Sequence, residues 1–269
     1  MATTSYVHSA AVKVIPATCV LVMLLAVNVA AHYTYVLPER FHVQTGDTVV
    51  VGFHSGDGFP ESTAVLKRLQ DPAIHTPRGR LAIDGLKEDG KRLAATINVA
   101  DPGHIIVTAV NAASTEEMRA ASFEKYLAEE GLGHIIEARK ARGETEKAGR
   151  ERYTMYAKAI LVSGTPGDGY RTAAGLPLEI IPETDPYRLA AGDALPVRVL
   201  LRGAPVANLE VKATSATEKA RVVGQTDAQG RIAVPVTQGQ WRLHAIHMER
   251  ASGEMDWESV WTTLTFEVP

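Results

Sequence analysis

Two Gly-Asp turns, Gly46-Asp47 and Gly192-Asp193, each lead into a run of branched apolar residues, and they constrain this chain more than any other feature. The first opens Thr48-Val49-Val50-Val51-Gly52-Phe53, and the second opens Leu195–Leu201, with Val197-Arg198-Val199 at its centre. Short apolar runs bounded by turn residues read as buried strands. Arg40-Phe41 ahead of the first turn matches Arg188-Leu189 ahead of the second, and the turn-plus-strand Gly103–Asn111 matches Gly239–His247. One strand-and-turn plan written twice is the mark of an internal repeat.

Other segments use the same strand language. Leu93 to Val99 alternates apolar and polar residues, and Asp101-Pro102-Gly103 turns into Ile105–Val110. Further strands are expected at Leu178–Ile181, Leu209–Thr214, Ile232–Val236, Trp241–Met248 and Val260–Val268. Thr226-Asp227-Ala228-Gln229-Gly230 is an Asp-x-x-Gly turn of the kind that links strands in small antiparallel sandwiches. The expected fold is mainly β, with two tandem antiparallel β-sandwich domains, transthyretin-like or Ig-like, over 32–114 and 161–269.

Residues 115–160 change character and read as a helical insertion. Ser114 or Thr115 suits a helix N-cap, with Glu116 and Glu117 in the first turn. Phe123, Tyr126 and Leu127 make an apolar stripe ended by Gly131, and Ile135 to Arg142 reads as a second helix. Tyr153, Tyr156, Ala157 and Ile160 continue the helical period in a third, which runs into a strand at Ala159–Val162. The mixed charges from Lys140 to Arg152 read as a solvated face.

The start of the chain sets the compartment. Val14 to Ala31 is a predominantly apolar run without a charged residue behind a single basic residue, Lys13, and it ends on Val29-Ala30-Ala31. Small residues at the end of such a run suit signal peptidase, so residues 1–31 read as a leader cut next to His32, and the protein as periplasmic or exported. An uncleaved N-terminal membrane anchor is the alternative. The one cysteine, Cys19, lies inside the leader, so the exported chain has no thiolate or disulfide to use. The residues from His32 on, about 240, suffice for one large or two small domains. A net charge of −3 with interspersed signs argues against nucleic acid as a partner.

Any metal must therefore be held by nitrogen and oxygen. An N-terminal His32 would offer its α-amine and ring Nδ1 together as a two-nitrogen chelate for a borderline ion. His247 ends the strand Trp241–His247, whose alternation puts Trp241, Leu243, Ala245 and His247 on one face and Arg242, His244 and Ile246 on the other. His247 is the better ligand candidate of that strand. His54 ends the Val49–Phe53 strand beside the Asp-bearing loop Ser55-Gly56-Asp57-Gly58-Phe59-Pro60. Asp256 and Glu258, within Asp256-Trp257-Glu258-Ser259, could complete a nitrogen-oxygen shell or orient an imidazole. His75 and His134 read as loop and helix-surface residues, and Trp241, Trp257 and Trp261 as core. No nucleophile elbow, His-Glu-x-x-His or phosphate loop is present, so an enzyme is not expected.

Taken together, these pieces resemble an exported NikM-like domain-of-unknown-function family. His32-Tyr33-Thr34-Tyr35-Val36-Leu37-Pro38 is similar to its opening, with Tyr35 where Trp is usual. The middle segment carries the most specific likeness, in Phe123–Leu132, Arg142-Gly143-Glu144-Thr145, Arg150-Glu151-Arg152-Tyr153 and Tyr156-Ala157-Lys158-Ala159. Leu176–Glu179, Pro186-Tyr187, Ala245-Ile246-His247-Met248 and Asp256–Ser259 extend it. The resemblance implies a periplasmic accessory of nickel or cobalt uptake that handles a divalent transition metal, with membrane transporter components as partners and no soluble small-molecule cofactor. His32, His247, Asp256 and Glu258 are the family positions present. Copper is a further possibility, since affinity order alone favours it. The alternatives are a histidine-brace copper enzyme and a metal-free adhesion or scaffold module.

Overall fold

The computed structural model describes Met1, residues 32–190 and residues 192–269, so the leader and Cys19 lie outside the described residues. Its first strands are β1 (Thr34–Pro38), β2 (His42–Val43), β3 (Thr48–Ser55), β4 (Leu69–Thr76), β5 (Gly79–Ala82), β6 (Lys87–Asp89), β7 (Arg92–Asn98) and β8 (Gly103–Met118). Two helices follow, α1 (Ala120–Glu129) and α2 (Gly133–Ala141). The remaining strands are β9 (Gly149–Ser163), β10 (Leu178–Pro182), β11 (Ala194–Leu201), β12 (Ala204–Pro205), β13 (Glu210–Ser215), β14 (Arg221–Gln225), β15 (Arg231–Pro235), β16 (Gly239–Arg250) and β17 (Trp257–Val268). Among the described residues, no helix is long and apolar enough to cross a membrane.

The repeated turn has the same geometry in both copies. Gly46 and Gly192 both sit at φ +94°, a conformation that an L side chain strains to adopt. The Asp47 amide donates to the Gln44 carbonyl and the Asp193 amide to the Ala190 carbonyl, both at 3.0 Å. In return the Asp47 carboxylate accepts from the Gln44 amide at 3.1 Å, and the Asp193 carboxylate from the Ala190 amide at 2.8 Å. Each turn then delivers a strand into equivalent pairing: β3 lies between β1 and β7, and β11 pairs with β10 and β15.

The two copies meet in one large sheet, ordered β14-β13-β16-β17-β9-β8-β4-β5. Its central pair, β9 and β17, is parallel, whereas its other neighbours in that order run antiparallel. A rough two-fold axis along the strands accounts for this, because it keeps strand direction, mirrors strand order and exchanges the two faces. The small sheets obey that rule. Thr263 and Thr265 of β17 donate to the Thr34 and Val36 carbonyls of β1, on the face shared with His244 and Arg242. Lys158 of β9 points from the opposite face and pairs with Glu179 of β10 at 2.7 Å. Sheet β1-β3-β7-β6 therefore covers one face and the β10-β11 sheet the other, with a core running through Tyr35, Phe53, Leu161, Leu178, Val197, Trp241 and Leu264. The mainly β, sandwich-type class expected from the strand pattern holds.

The helical segment is shorter than its spacing predicts. β8 runs through Ser114 and Thr115 to Met118, and α1 begins after Arg119 without a side-chain cap. The third helix is a correction: Tyr153, Tyr156, Ala157 and Ile160 belong to strand β9. Pairing on both sides, with β8 and β17, satisfies that backbone and overrides the helical spacing. The two helices lay Phe123, Leu127, Leu132 and Ile135 on Met155, Ile246, Met248, Trp257 and Trp261, beside the β1 sheet on the same face.

A buried carboxylate lies under this helical cover. Glu151 accepts hydrogen bonds from the Ser259 and Tyr126 hydroxyls, yet burial pushes it up to about 7, with Glu116 adding to the rise. Its native pKa lies above its unfolded value, so its stabilising contribution is complete below about pH 4.5 and fades as pH rises through 7. Glu151→Gln is expected to flatten that decline and raise stability at pH 8, by up to roughly 3 kcal/mol. Urea titrations of both proteins at pH 5 and pH 8 check it; parallel pH profiles would contradict it.

Candidate functional site

The site is built where β1 enters the sandwich. Tyr33 packs under the helices, while Tyr35 packs into the β1 sheet, so the segment between them stitches two parts of one face together. His32 stands exposed just before it, with Nδ1 3.4 Å from Asp57 Oδ1. That neighbour is no accident of side-chain reach. The Gly56 amide donates to the Tyr33 carbonyl at 3.0 Å, which fastens the loop after β3 to the residue after His32.

Arg242 holds the loop from below. It is fully buried, and its guanidinium donates to the Gly56, Asp57 and Gly58 carbonyls at 3.3, 3.0 and 3.2 Å. The rings of Tyr33, Tyr35 and Phe59 surround it at 4.8, 4.9 and 5.6 Å. Burial lowers its pKa from the usual arginine value; a guanidinium starting so high stays charged at neutral pH. Among the described residues no carboxylate bonds it, and the cation is tolerated because three carbonyl dipoles and three ring faces replace its water.

Next on the same face comes His244. Its ring lies 4.2 Å from that of Tyr33, and both its nitrogens are buried without hydrogen-bond partners among the described residues. Burial, then Arg242 and Lys212, hold its pKa well below 6.5, so it is a neutral imidazole. Glu130, at the end of α1, accepts from the Tyr33 hydroxyl at 2.8 Å and from Lys212 Nζ at 2.7 Å. Burial and this carboxylate push the Tyr33 phenol up and keep it protonated.

The five residues singled out from the sequence fall into separate places. His32 and His54 flank the same loop, but His54 is buried behind Tyr35 and accepts from or donates to the Ser62 hydroxyl at 2.8 Å through Nδ1. Its Nε2 faces Gly52, where an added Cβ would lie 2.3 Å away. Burial and Arg92 bring its pKa down to about 4. His247, Glu249 and Glu258 share the opposite face of the large sheet, as strand alternation predicts, with Glu249 and Glu258 directly across from each other. His247 Nε2 is 3.5 Å from Glu249 Oε2, and burial lowers its pKa. Arg202 neutralises Glu249, Arg152 neutralises Glu258 at 3.0 Å, and Arg150 holds Asp256 through two 3.1 Å bonds that lower its pKa. These residues do not converge: among the described residues, no group of three or more His, Cys, Asp or Glu side chains is placed to hold a metal ion.

His32 and Asp57 are both exposed and open to a ligand. A span of 3.4 Å between Nδ1 and Oδ1 matches two donors of one tetrahedral centre whose bonds are about 2.0–2.2 Å long. Nitrogen and carboxylate oxygen together suit a borderline divalent ion. In the sequence Asp57 is legible only as part of the loop after the Val49–Phe53 strand, and neither Arg242 nor Glu130 stands out as a site residue. An arginine between Trp241 and Leu243 in a strand was the available signal.

The family described as Domain of unknown function (DUF4198) matches residues 29–249. This chain belongs to it. No curated protein matches the chain. Among solved structures it is similar to a Salmonella alpha-2-macroglobulin mutant, at 9% identity and a TM-score of 0.27, over 87% of this chain and 15% of that one. It is similar also to the D0-D1 domain of intimin, at 14% identity and a TM-score of 0.21 over 88% of this chain and 99% of that one. The Yersinia pseudotuberculosis adhesin InvE aligns at 13% identity and a TM-score of 0.21 over 86% of this chain and 58% of that one. The chain thus spans about 15% of the macroglobulin's length and all but 1% of the intimin fragment's.

Proposed function

We propose that this chain is an exported, periplasmic metal-binding protein accessory to nickel or cobalt uptake, with membrane metal-transporter components as its partners. The observation that carries the reading is the approach of His32 Nδ1 to Asp57, on a loop that Arg242 and the Tyr33 carbonyl fasten in place. Cleavage after Ala31 adds the His32 amine to the same atoms, making an amine, imidazole and carboxylate set. Such a set takes a divalent ion as cargo at an exposed rim, open on its remaining side to exchange with a second protein. His247, Asp256 and Glu258 drop from the ligand set here, because His247 and Glu258 lie on the other face, Asp256 stands in the bend before β17, and the two acids already hold arginines.

Isothermal titration of residues 32–269 with Ni²⁺, Co²⁺ and Cu²⁺ tests it. His32→Ala and Asp57→Asn are each expected to weaken binding by about tenfold or more, the worth of one lost ligand at roughly 1.4 kcal/mol per decade. One extra residue ahead of His32 should weaken it as much, and so should acidification through the amine's ordinary pKa of roughly 7.7–8. Equal affinities across the unaltered protein, both substitutions and the extended form would reject the reading. Tight binding of Cu²⁺ alone would reassign the cargo.

A further inference from the structure

On the outer side of the β10-β11 sheet, far along the chain from His32, lies a cleft of about 560 Å³. Strand alternation turns Val197 and Val199 into the core and leaves Arg198 and Leu200 facing outward, with Ile181 across from Arg198 on β10. Ile181, Leu200 and Pro205 give the cleft apolar walls, and Arg171, Arg198 and Glu183 line it with charge. Pockets of this size with apolar walls and a few placed polar groups are the usual form of small-ligand sites.

Its charge is unbalanced in one direction. Arg198 and Arg231 both pair with Oε1 of Glu183, and Arg171 donates to the Glu183 carbonyl at 3.0 Å. Two guanidinium groups therefore share one carboxylate, the single acidic side chain lining the cleft, and Arg171 meets a backbone carbonyl in place of an acid. The Arg198 Nε is buried without an acceptor among the described residues. A guanidinium presents five donors in a planar fork that matches a carboxylate with two parallel bonds. Among the described residues Arg198 meets a single acceptor, the Glu183 carboxylate, and Arg171 only the Glu183 backbone carbonyl, so both forks have donors left for a second carboxylate.

We propose that this cleft binds a small monocarboxylate with an apolar body, its carboxylate on Arg198 and Arg171 and its apolar part on Ile181, Leu200 and Pro205. The site is separate from the His32 rim and stands whether or not that rim takes metal.

Phenylacetate is a suitable probe, with its neutral amide, phenylacetamide, and inorganic phosphate as controls, titrated into residues 32–269 by calorimetry or ligand-observed NMR. Phenylacetate is expected to saturate, and the amide to bind at least about tenfold more weakly, because the charge-assisted bonds are lost. Arg198→Gln and the exposed Arg171→Gln should each weaken phenylacetate by roughly 10–100-fold, while His32→Ala leaves it unchanged. Arg171→Gln keeps the test decisive if Arg198→Gln disturbs folding. Equal binding of acid and amide, no saturation, or indifference to both substitutions would overturn the assignment. Phosphate binding as tightly as phenylacetate would overturn the apolar half of it.

Discussion

Replacing Arg242 with alanine is expected to cost about 3–5 kcal/mol of folding stability, the sum of an emptied core site and loop carbonyls, that of Gly56 buried, left without their donor. The guanidinium fills a space bounded by Tyr33, Tyr35 and Phe59 and satisfies three consecutive carbonyls, Gly56, Asp57 and Gly58. Among the described residues, no other side chain donates to those carbonyls. Lysine does not replace it, because a point charge on a flexible stem cannot span three acceptors in a plane. Arg242→Lys should therefore recover only a part of the loss, and Arg242→Met should recover packing without the bonds. Urea denaturation monitored by tryptophan fluorescence measures all three. A loss below about 1 kcal/mol for alanine would place the residue among ordinary surface substitutions and undo the argument. The same change frees the loop that carries Asp57, so metal affinity should fall with it even though Arg242 is not a ligand in the proposed set.

How far the sequence reveals this arrangement depends on whether a feature is written locally. The strands of both copies are legible because period-two burial and Gly-Asp turns lie within a few residues of each other. Gly46 and Gly192 are an example, with identical φ and matching bonds to the residue three before the aspartate. The segment Tyr153–Ile160 fails for a physical reason. Tyr, Tyr, Ala and Ile at those positions satisfy a helical stripe, but Met155, Ala157 and Ala159 equally satisfy alternation. What decides between them is pairing with β8 and β17, contacts that no window along the chain contains.

The candidate site is legible only in its parts. His32 can be singled out from the end of the apolar run, and Asp57 can be seen in a glycine loop. Their approach depends on the Gly56 amide meeting the Tyr33 carbonyl, a bond between distant segments. The alternation of β16 correctly separates His244 from His247. Arg242 goes unremarked because arginine is almost never fully buried, and ring faces with backbone carbonyls supply an environment that no nearby acid announces. The arginines around Glu183 belong to three different segments and converge only through the β10-β11-β15 pairing.

The second large effect is expected at the buried Lys158–Glu179 pair, and it should be asymmetric. Both side chains are almost wholly buried, with Nζ 2.7 Å from Oε1. Burial lowers the Lys158 pKa against the opposing pull of Glu179. Glu179 has further partners: the Ala174, Gly175 and Leu176 amides donate to it at 2.7, 3.1 and 3.3 Å. Glu179→Ala therefore strands a buried ammonium and three backbone donors together, whereas Lys158→Met leaves a carboxylate that three amides still solvate. Removing one member of a buried pair costs about 3–5 kcal/mol, and Glu179→Ala belongs at or beyond the upper end, with Lys158→Met near the lower. Combining Lys158→Met with Glu179→Gln should cost less than those same two changes made singly and added, since the neutral amide no longer needs a cation and its carbonyl still accepts from the loop. A double-mutant cycle by chemical denaturation reads this directly. Additive losses would mean that the two side chains are not coupled, and a larger loss from Lys158→Met than from Glu179→Ala would mean that the ion pair rather than the loop amides dominates the role of Glu179 in joining the loop to the sheet.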